Sequence, residues 1–182
     1  MTSQTEATRK ALQALEKADI PHMIVGSVAA SLHGFARTTH DVDIVVALTP
    51  ESVPKLADAL GEEFYFDVLS ARKAAERRDM VNAIHMDSGV KVDFFILRDD
   101  EYSQVQFARR ECTTLEGIPA CVASPEDTIL SKLLWCRIIR SERQLEDVKG
   151  ILAVREGRLD WDYLNQWAKR LGVEDLLRDI AT

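Results

Sequence analysis

The chain of 182 residues predicts an α/β protein: a small β-sheet with helices, followed by a carboxy-terminal helical region. Three observations carry that expectation. Helix-period and strand-period segments alternate through the first two thirds of the chain. Two pairs of strand-like runs are joined by hairpin signals, at Asp87-Ser88-Gly89 and Glu116-Gly117. From Ser124 onward, every segment reads as helix. The expected division is therefore a core over residues 1–123 and a helical region over 124–182, packed on that core.

Taken in order, residues 4–18 place Ala7, Leu12, Leu15 and Ala18 at helical spacing. The apolar run His22–Val25 is a short strand that ends in Gly26-Ser27. Val28–His33 reads as a helix closed by Gly34 in a left-handed stop. Val42–Ala47 is β-branched and strand-like, and Thr49-Pro50-Glu51 reads as the start of the next helix, with Thr49 as its cap. A basic helix is expected over Ala71–Asp79. Val81–Met86 and Val90–Leu97 are the strands of one hairpin, Tyr102–Arg109 a helix, and Cys112–Leu115 with Ile118–Val122 a second hairpin. Ser124-Pro125-Glu126-Asp127 is a helix start: cap, proline in the first turn, then acids at the positive end of the dipole. Further helices fall near 125–139, 142–154, 160–171 and 174–180, and Gly150 allows two helices to approach.

Composition narrows the class. With 46% hydrophobic and 29% charged residues the chain is neither disordered nor fibrous. No apolar run approaches the roughly 20 residues of a membrane span, and the first residues lack the basic flank and apolar block of a signal peptide. A cytoplasmic protein without membrane attachment is expected. A net charge of -7 disfavours a broad nucleic-acid footprint. Cys112, Cys121 and Cys136 form no CxxC pair. Cys112 and Cys121 would lie opposite one another in the second hairpin, but a reducing compartment favours buried free thiols.

The chemistry concentrates between residues 26 and 46. Asp41 and Asp43 are two apart at the start of a strand, so both carboxylates share one face. Two such acids repel unless a cation neutralises them, and an all-oxygen pair suits Mg2+ or Mn2+. The Gly26-Ser27 strand-to-helix turn offers backbone amides, a helix amino terminus and a hydroxyl to a phosphate. Asp93, with Lys91 and Phe95 on its face, sits in the apolar strand Lys91–Ile96. An acid there needs a cation or donor partner. If that strand lies beside the Asp41/Asp43 strand, three carboxylates converge, as two-metal phosphoryl transfer requires. Taken singly, each signal has an ordinary structural explanation; their order and spacing together point to a nucleotide site.

Other residues carry less. His33 and His40 read as structural, since this chemistry needs no imidazole. Arg72, Lys73, Arg77 and Arg78 read as a solvated basic face, and Trp135, Trp161 and Trp167 as core or interface anchors.

Gly26-Ser27, then Arg37-Thr38-Thr39-His40-Asp41-Val42-Asp43, then Val92-Asp93 on a later strand resembles the minimal nucleotidyltransferases of the DNA polymerase β superfamily. With His33-Gly34, it is similar to the small bacterial nucleotidyltransferases that include abortive-infection toxins. Ser124–Asp127 through Lys132, then Ser141–Gln144 and Asp147, resembles their helical segment. The likeness spans roughly residues 20–155. It implies a nucleotidyltransferase-type mixed sheet, with Gly26 and Ser27 at the β- and γ-phosphates. Asp41 and Asp43 become metal ligands, and Asp93 a third ligand and base. Lys132 and Arg143 would steady the triphosphate, and Arg37 would support the loop or a phosphate. The implied reaction moves an NMP from an NTP to a hydroxyl on tRNA, protein or a small molecule and releases pyrophosphate. A toxin role with an antitoxin protein partner belongs to the same expectation. The alternative is a non-catalytic NTP-binding or partner-docking module of a toxin–antitoxin pair.

Overall fold

The computed structural model describes residues 3–36, 39, 41–115, 117–139 and 141–181. In chain order its elements are α1 (Ser3–Lys17), β1 (His22–Ile24), α2 (Gly26–His33), β2 (Asp41–Val46), α3 (Val53–Leu60), β3 (Phe64–Phe66), α4 (Val68–Arg77), β4 (Met80–His85), β5 (Lys91–Ile96), α5 (Glu101–Ala108), β6 (Glu111–Leu115), β7 (Ile118–Val122), α6 (Pro125–Ile138), α7 (Glu142–Val154), α8 (Trp161–Leu171) and α9 (Glu174–Ala181). They divide into two compact units. One comprises Met1–Ile24 and Thr39–Val122; the other comprises Val25–Thr38 and Ala123–Thr182. The helix α2, placed by its sequence position in the core, thus groups with the carboxy-terminal helices.

The first unit holds a seven-stranded sheet in the order β3-β4-β5-β2-β1-β7-β6. The β2–β5 and β1–β7 pairs are parallel and the remaining neighbours antiparallel. Period-two burial gives the central strands two unlike faces. Val42, Ile44 and Val46 of β2 are fully buried, as are Val92 and Phe94 of β5, whereas Asp41 is exposed and Asp43 half-buried. The core of this unit gathers the apolar strand faces with Ala11, Leu12 and Leu15 of α1 and Val53 and Leu56 of α3. Each fully buried leucine or valine there contributes about 1.5–3 kcal/mol.

Several boundaries differ from expectation. The third helix begins at Val53 instead of Pro50, because Thr49 and Ser52 exchange hydrogen bonds that close a separate turn. Asp67 starts α4 ahead of Ala71 by accepting a hydrogen bond from Ser70 N at 2.6 Å. The strand Phe64-Tyr65-Phe66 was not expected: three residues are too few to show alternation, and pairing with β4 supplies its order.

Cys112 and Cys121, expected as free buried thiols, form a disulfide. They face one another in register across β6–β7, with Cys112 exposed and Cys121 half-buried. Direct cross-strand opposition brings the two sulfurs within bonding reach. Cys136 is the buried free thiol, and burial pushes its pKa up.

The helical unit centres on Ile129, Leu130, Leu133, Val148, Ile151 and Leu164, all fully buried. Here α6 packs against α2, α7 and α8, while α9 contacts α7 and α8. Gly34 does not adopt a left-handed stop; its φ is -126°. Its need is proximity: a Cβ there would lie 2.8 Å from Ile151 N and 2.9 Å from Gly150 C. Among the tryptophans, Trp167 is core, and Trp135 and Trp161 stay substantially exposed. No helix among the described residues is long and apolar enough to cross a membrane.

Candidate active site

The sheet brings the three predicted acids onto two neighbouring strands. Parallel pairing sets Asp43 directly beside Asp93 and Asp41 beside Lys91. On the other side of β5, Asn82 of β4 is opposite Asp93 and Ile84 opposite Lys91. Asn82, Asp93 and Asp43 therefore form one polar row across three strands, with a strand spacing of about 4.8 Å. The row runs from half-buried Asn82 through Asp93, only 7% exposed, to half-buried Asp43, and Asp41 lies one step outward in solvent.

An acid as buried as Asp93 needs a counter-charge, and Lys91 supplies it. Lys91 Nζ donates to Asp93 Oδ2 at 2.9 Å. The hydrogen bond to Asp93 is the main cause holding the Lys91 ammonium above its usual pKa; burial opposes it, and the charges of Asp93, Asp41 and Asp43 reinforce it. Lys91 thus experiences all three carboxylates. The other oxygen, Asp93 Oδ1, is buried with no hydrogen-bond partner among the described residues. Sequence reading placed Lys91 on the Asp93 face through their spacing of two, but gave it no role. Asn82 carried no signal, because its place opposite Asp93 emerges only from the β4–β5 register.

These residues fit a hard divalent cation in chemistry: oxygen donors in register, one of them a buried orphan acceptor. Their side chains are not drawn into a cage. Among the described residues no three of His, Cys, Asp or Glu converge as a metal-holding group.

In the helical unit, Gly26 takes a positive φ of 63° at the start of α2. That is the left-handed region where glycine is preferred. The cap position is Val25, which offers the first-turn amides no side-chain acceptor. Arg37 lies outside the described residues, as does His40. Arg143 is exposed in the first turn of α7. Lys132, expected at a triphosphate, is buried in an ion pair with Asp147 at 2.6 Å. His33 is structural: its Nε2 donates to Ala123 O at 2.7 Å, and its Nδ1 accepts from Arg155 Nη2 at 2.9 Å. The Ser-Pro-Glu-Asp start of α6 also serves the fold. Ser124 Oγ donates to Asp127, Tyr163 Oη donates to Asp127 at 2.6 Å, and Asp160 N donates to Glu126 at 3.0 Å.

A seven-stranded mixed sheet with flanking helices is the fold of nucleotidyltransferase-type proteins. The family model described as nucleotidyltransferase of unknown function (DUF6036) matches residues 5–173, and the chain belongs to that family. No curated protein matches it in sequence. Solved structures share the fold at low identity. The crystal structure of ANT(2")-Ia in complex with adenylyl-2"-tobramycin is 16% identical over 100% of both chains, with a TM-score of 0.54. An antigenic nucleotidyltransferase-like protein from Paracoccidioides brasiliensis is 16% identical over 99% of this chain and 94% of its own, also at 0.54. The lincosamide antibiotic adenylyltransferase LnuA, bound to lincomycin, is 12% identical over 85% and 98%, at 0.51.

Proposed function

We propose that this protein transfers an NMP from an NTP to a hydroxyl of a small molecule, releasing pyrophosphate, with Mg2+ or Mn2+ held by Asp41, Asp43 and Asp93. The observation that carries the reading is the register of Asp43 beside Asp93 on parallel strands, with Asp41 on the same face. A divalent ion bound there would acidify the attacking hydroxyl and offset triphosphate charge. Asp93, whose buried Oδ1 has no hydrogen-bond partner among the described residues, takes up the proton of the acceptor hydroxyl. Gly26 and Ser27 take the β- and γ-phosphates at the opening of α2. Arg143 adds positive charge toward the triphosphate, and Arg37 supports the loop or a phosphate. Lys132 is assigned to the fold, because Asp147 already holds its ammonium.

Two considerations favour a small acceptor over RNA. The chain carries a net charge of -7, which repels a polyanion. Among the proteins sharing the fold, ANT(2")-Ia is seen with adenylyl-2"-tobramycin, and LnuA is a lincosamide antibiotic adenylyltransferase. The test incubates the protein with Mg2+ and each of four NTPs labelled at the α-phosphate, against separated metabolite, RNA and protein fractions. Label is expected in the metabolite fraction; label in RNA or protein reassigns the acceptor.

The ion pair of Lys91 with Asp93 favours a second reading: an NTP-binding module of a toxin–antitoxin pair without turnover. NTP binding without label transfer to any fraction would select it. Arrest of growth on induced expression, relieved by an Asp43→Asn change, would support a catalytic toxin.

A further inference from the structure

Lys91 and Asp93 are unequal partners. The lysine side chain is 39% exposed and ends on a flexible stem, whereas the aspartate side chain is 9% exposed and fixed in the sheet. When the pair opens, it is the ammonium that moves. Asp41 stands beside Lys91 and Asp43 beside Asp93, so the Lys91 ammonium lies on the face that carries the three carboxylates. Asp93 Oδ1 adds a buried acceptor that Lys91 leaves unmatched.

We propose that Lys91 is a tethered cation that competes with a divalent metal for Asp93, so that metal binds the carboxylate row only as the Lys91 ammonium swings out toward solvent. The inference rests on the metal-dependent reading above and adds to it a residue that sets metal affinity. Deleting a unit charge about 4 Å from the ligand oxygens, at an effective dielectric between that of water and about 20, strengthens metal binding by about tenfold.

The experiment titrates the full chain with Mn2+, without nucleotide, and reads bound ion by electron paramagnetic resonance. Wild type is compared with Lys91→Met, Lys91→Arg and Asp43→Asn. Lys91→Met is expected to bind Mn2+ about tenfold tighter than wild type, Lys91→Arg to stay near wild type, and Asp43→Asn to bind much more weakly. Equal or weaker binding by Lys91→Met, with wild-type binding still lost in Asp43→Asn, overturns the competition while leaving the metal site standing. No Mn2+ binding by any form overturns both. A measurement on the wild-type chain avoids dependence on a variant's folding. Acetylation of Lys91, followed by mass spectrometry, is expected to rise several-fold when Mn2+ is added; unchanged labelling overturns the proposal.

Discussion

The Lys132–Asp147 pair offers a prediction whose size comes directly from its setting. The side chains are 5% and 6% exposed and bonded at 2.6 Å between α6 and α7. Changing Lys132 to Met takes the ammonium from a buried carboxylate, and changing Asp147 to Leu takes the carboxylate from a buried ammonium. Breaking such a pair from one side costs about 3–5 kcal/mol, whereas replacing both partners with apolar groups of similar volume is close to neutral. The double variant Lys132→Met/Asp147→Leu should therefore lie within about 1 kcal/mol of wild type. The implied coupling is about 5 kcal/mol or more, well beyond ordinary non-additivity. All three tryptophans, Trp135, Trp161 and Trp167, lie in the helical unit, so urea unfolding followed by tryptophan fluorescence reads that unit selectively. Single variants within 1 kcal/mol of wild type, or a double variant as unstable as the sum of the singles, would refute the reasoning. The double variant also separates roles: NTP affinity unchanged from wild type keeps Lys132 with the fold, and a clear loss returns it to the triphosphate.

Three further outcomes follow from local geometry. Gly34→Ala meets backbone atoms of Gly150 and Ile151 at under 3 Å and should cost about 1–3 kcal/mol; Gly150→Ala meets the Phe35 ring at 3.1 Å, gains helix propensity and should be close to neutral, so a reversed order in urea midpoints contradicts the packing. Asp100 caps α5 by accepting from Ser103 N at 2.9 Å. Burial alone would raise its pKa, but the Ser103 hydrogen bonds and the Arg98 charge hold it below 3.8. A depressed pKa means the cap's stabilisation is complete above 3.8 and is lost as pH falls through the lower folded value. Asp100→Ala should cost about 1 kcal/mol at pH 7 and nothing once both forms are protonated, and a penalty independent of pH would contradict this. In denaturant without reductant, one thiol per chain should react, that of Cys136, and three after reduction; three before reduction would contradict the Cys112–Cys121 bond.

Much of the site's framework was legible because it follows chain periodicity. Asp41-Val42-Asp43 and Val92-Asp93-Phe94 display the period of two that aims acids to one side and apolar groups to the other. The Asp87-Ser88-Gly89 turn marks the β4–β5 hairpin. What stayed hidden depends on relations between distant segments. The pairing of Lys132 with Asp147 and of Tyr163 with Asp127 requires the packing of helices that no local pattern specifies. The closeness of Gly34 to Ile151 likewise belongs to tertiary packing, whereas a glycine after a helix reads locally as a left-handed stop. The Cys112–Cys121 opposition was visible in the hairpin, but the assumed compartment argued against a bond. Thr49-Pro50 misled because a hydroxyl-closed turn and a helix cap use the same residue types.

The most direct test of the account compares α-labelled NTP turnover by wild type, Asp43→Asn and Asp93→Asn at saturating Mg2+ with an accepting metabolite fraction, after circular dichroism has shown the same fold in all three. Both substitutions are expected to reduce transfer and pyrophosphate release by at least about a hundredfold. Wild-type rates in either correctly folded variant would contradict the assignment of this carboxylate row as the catalytic centre.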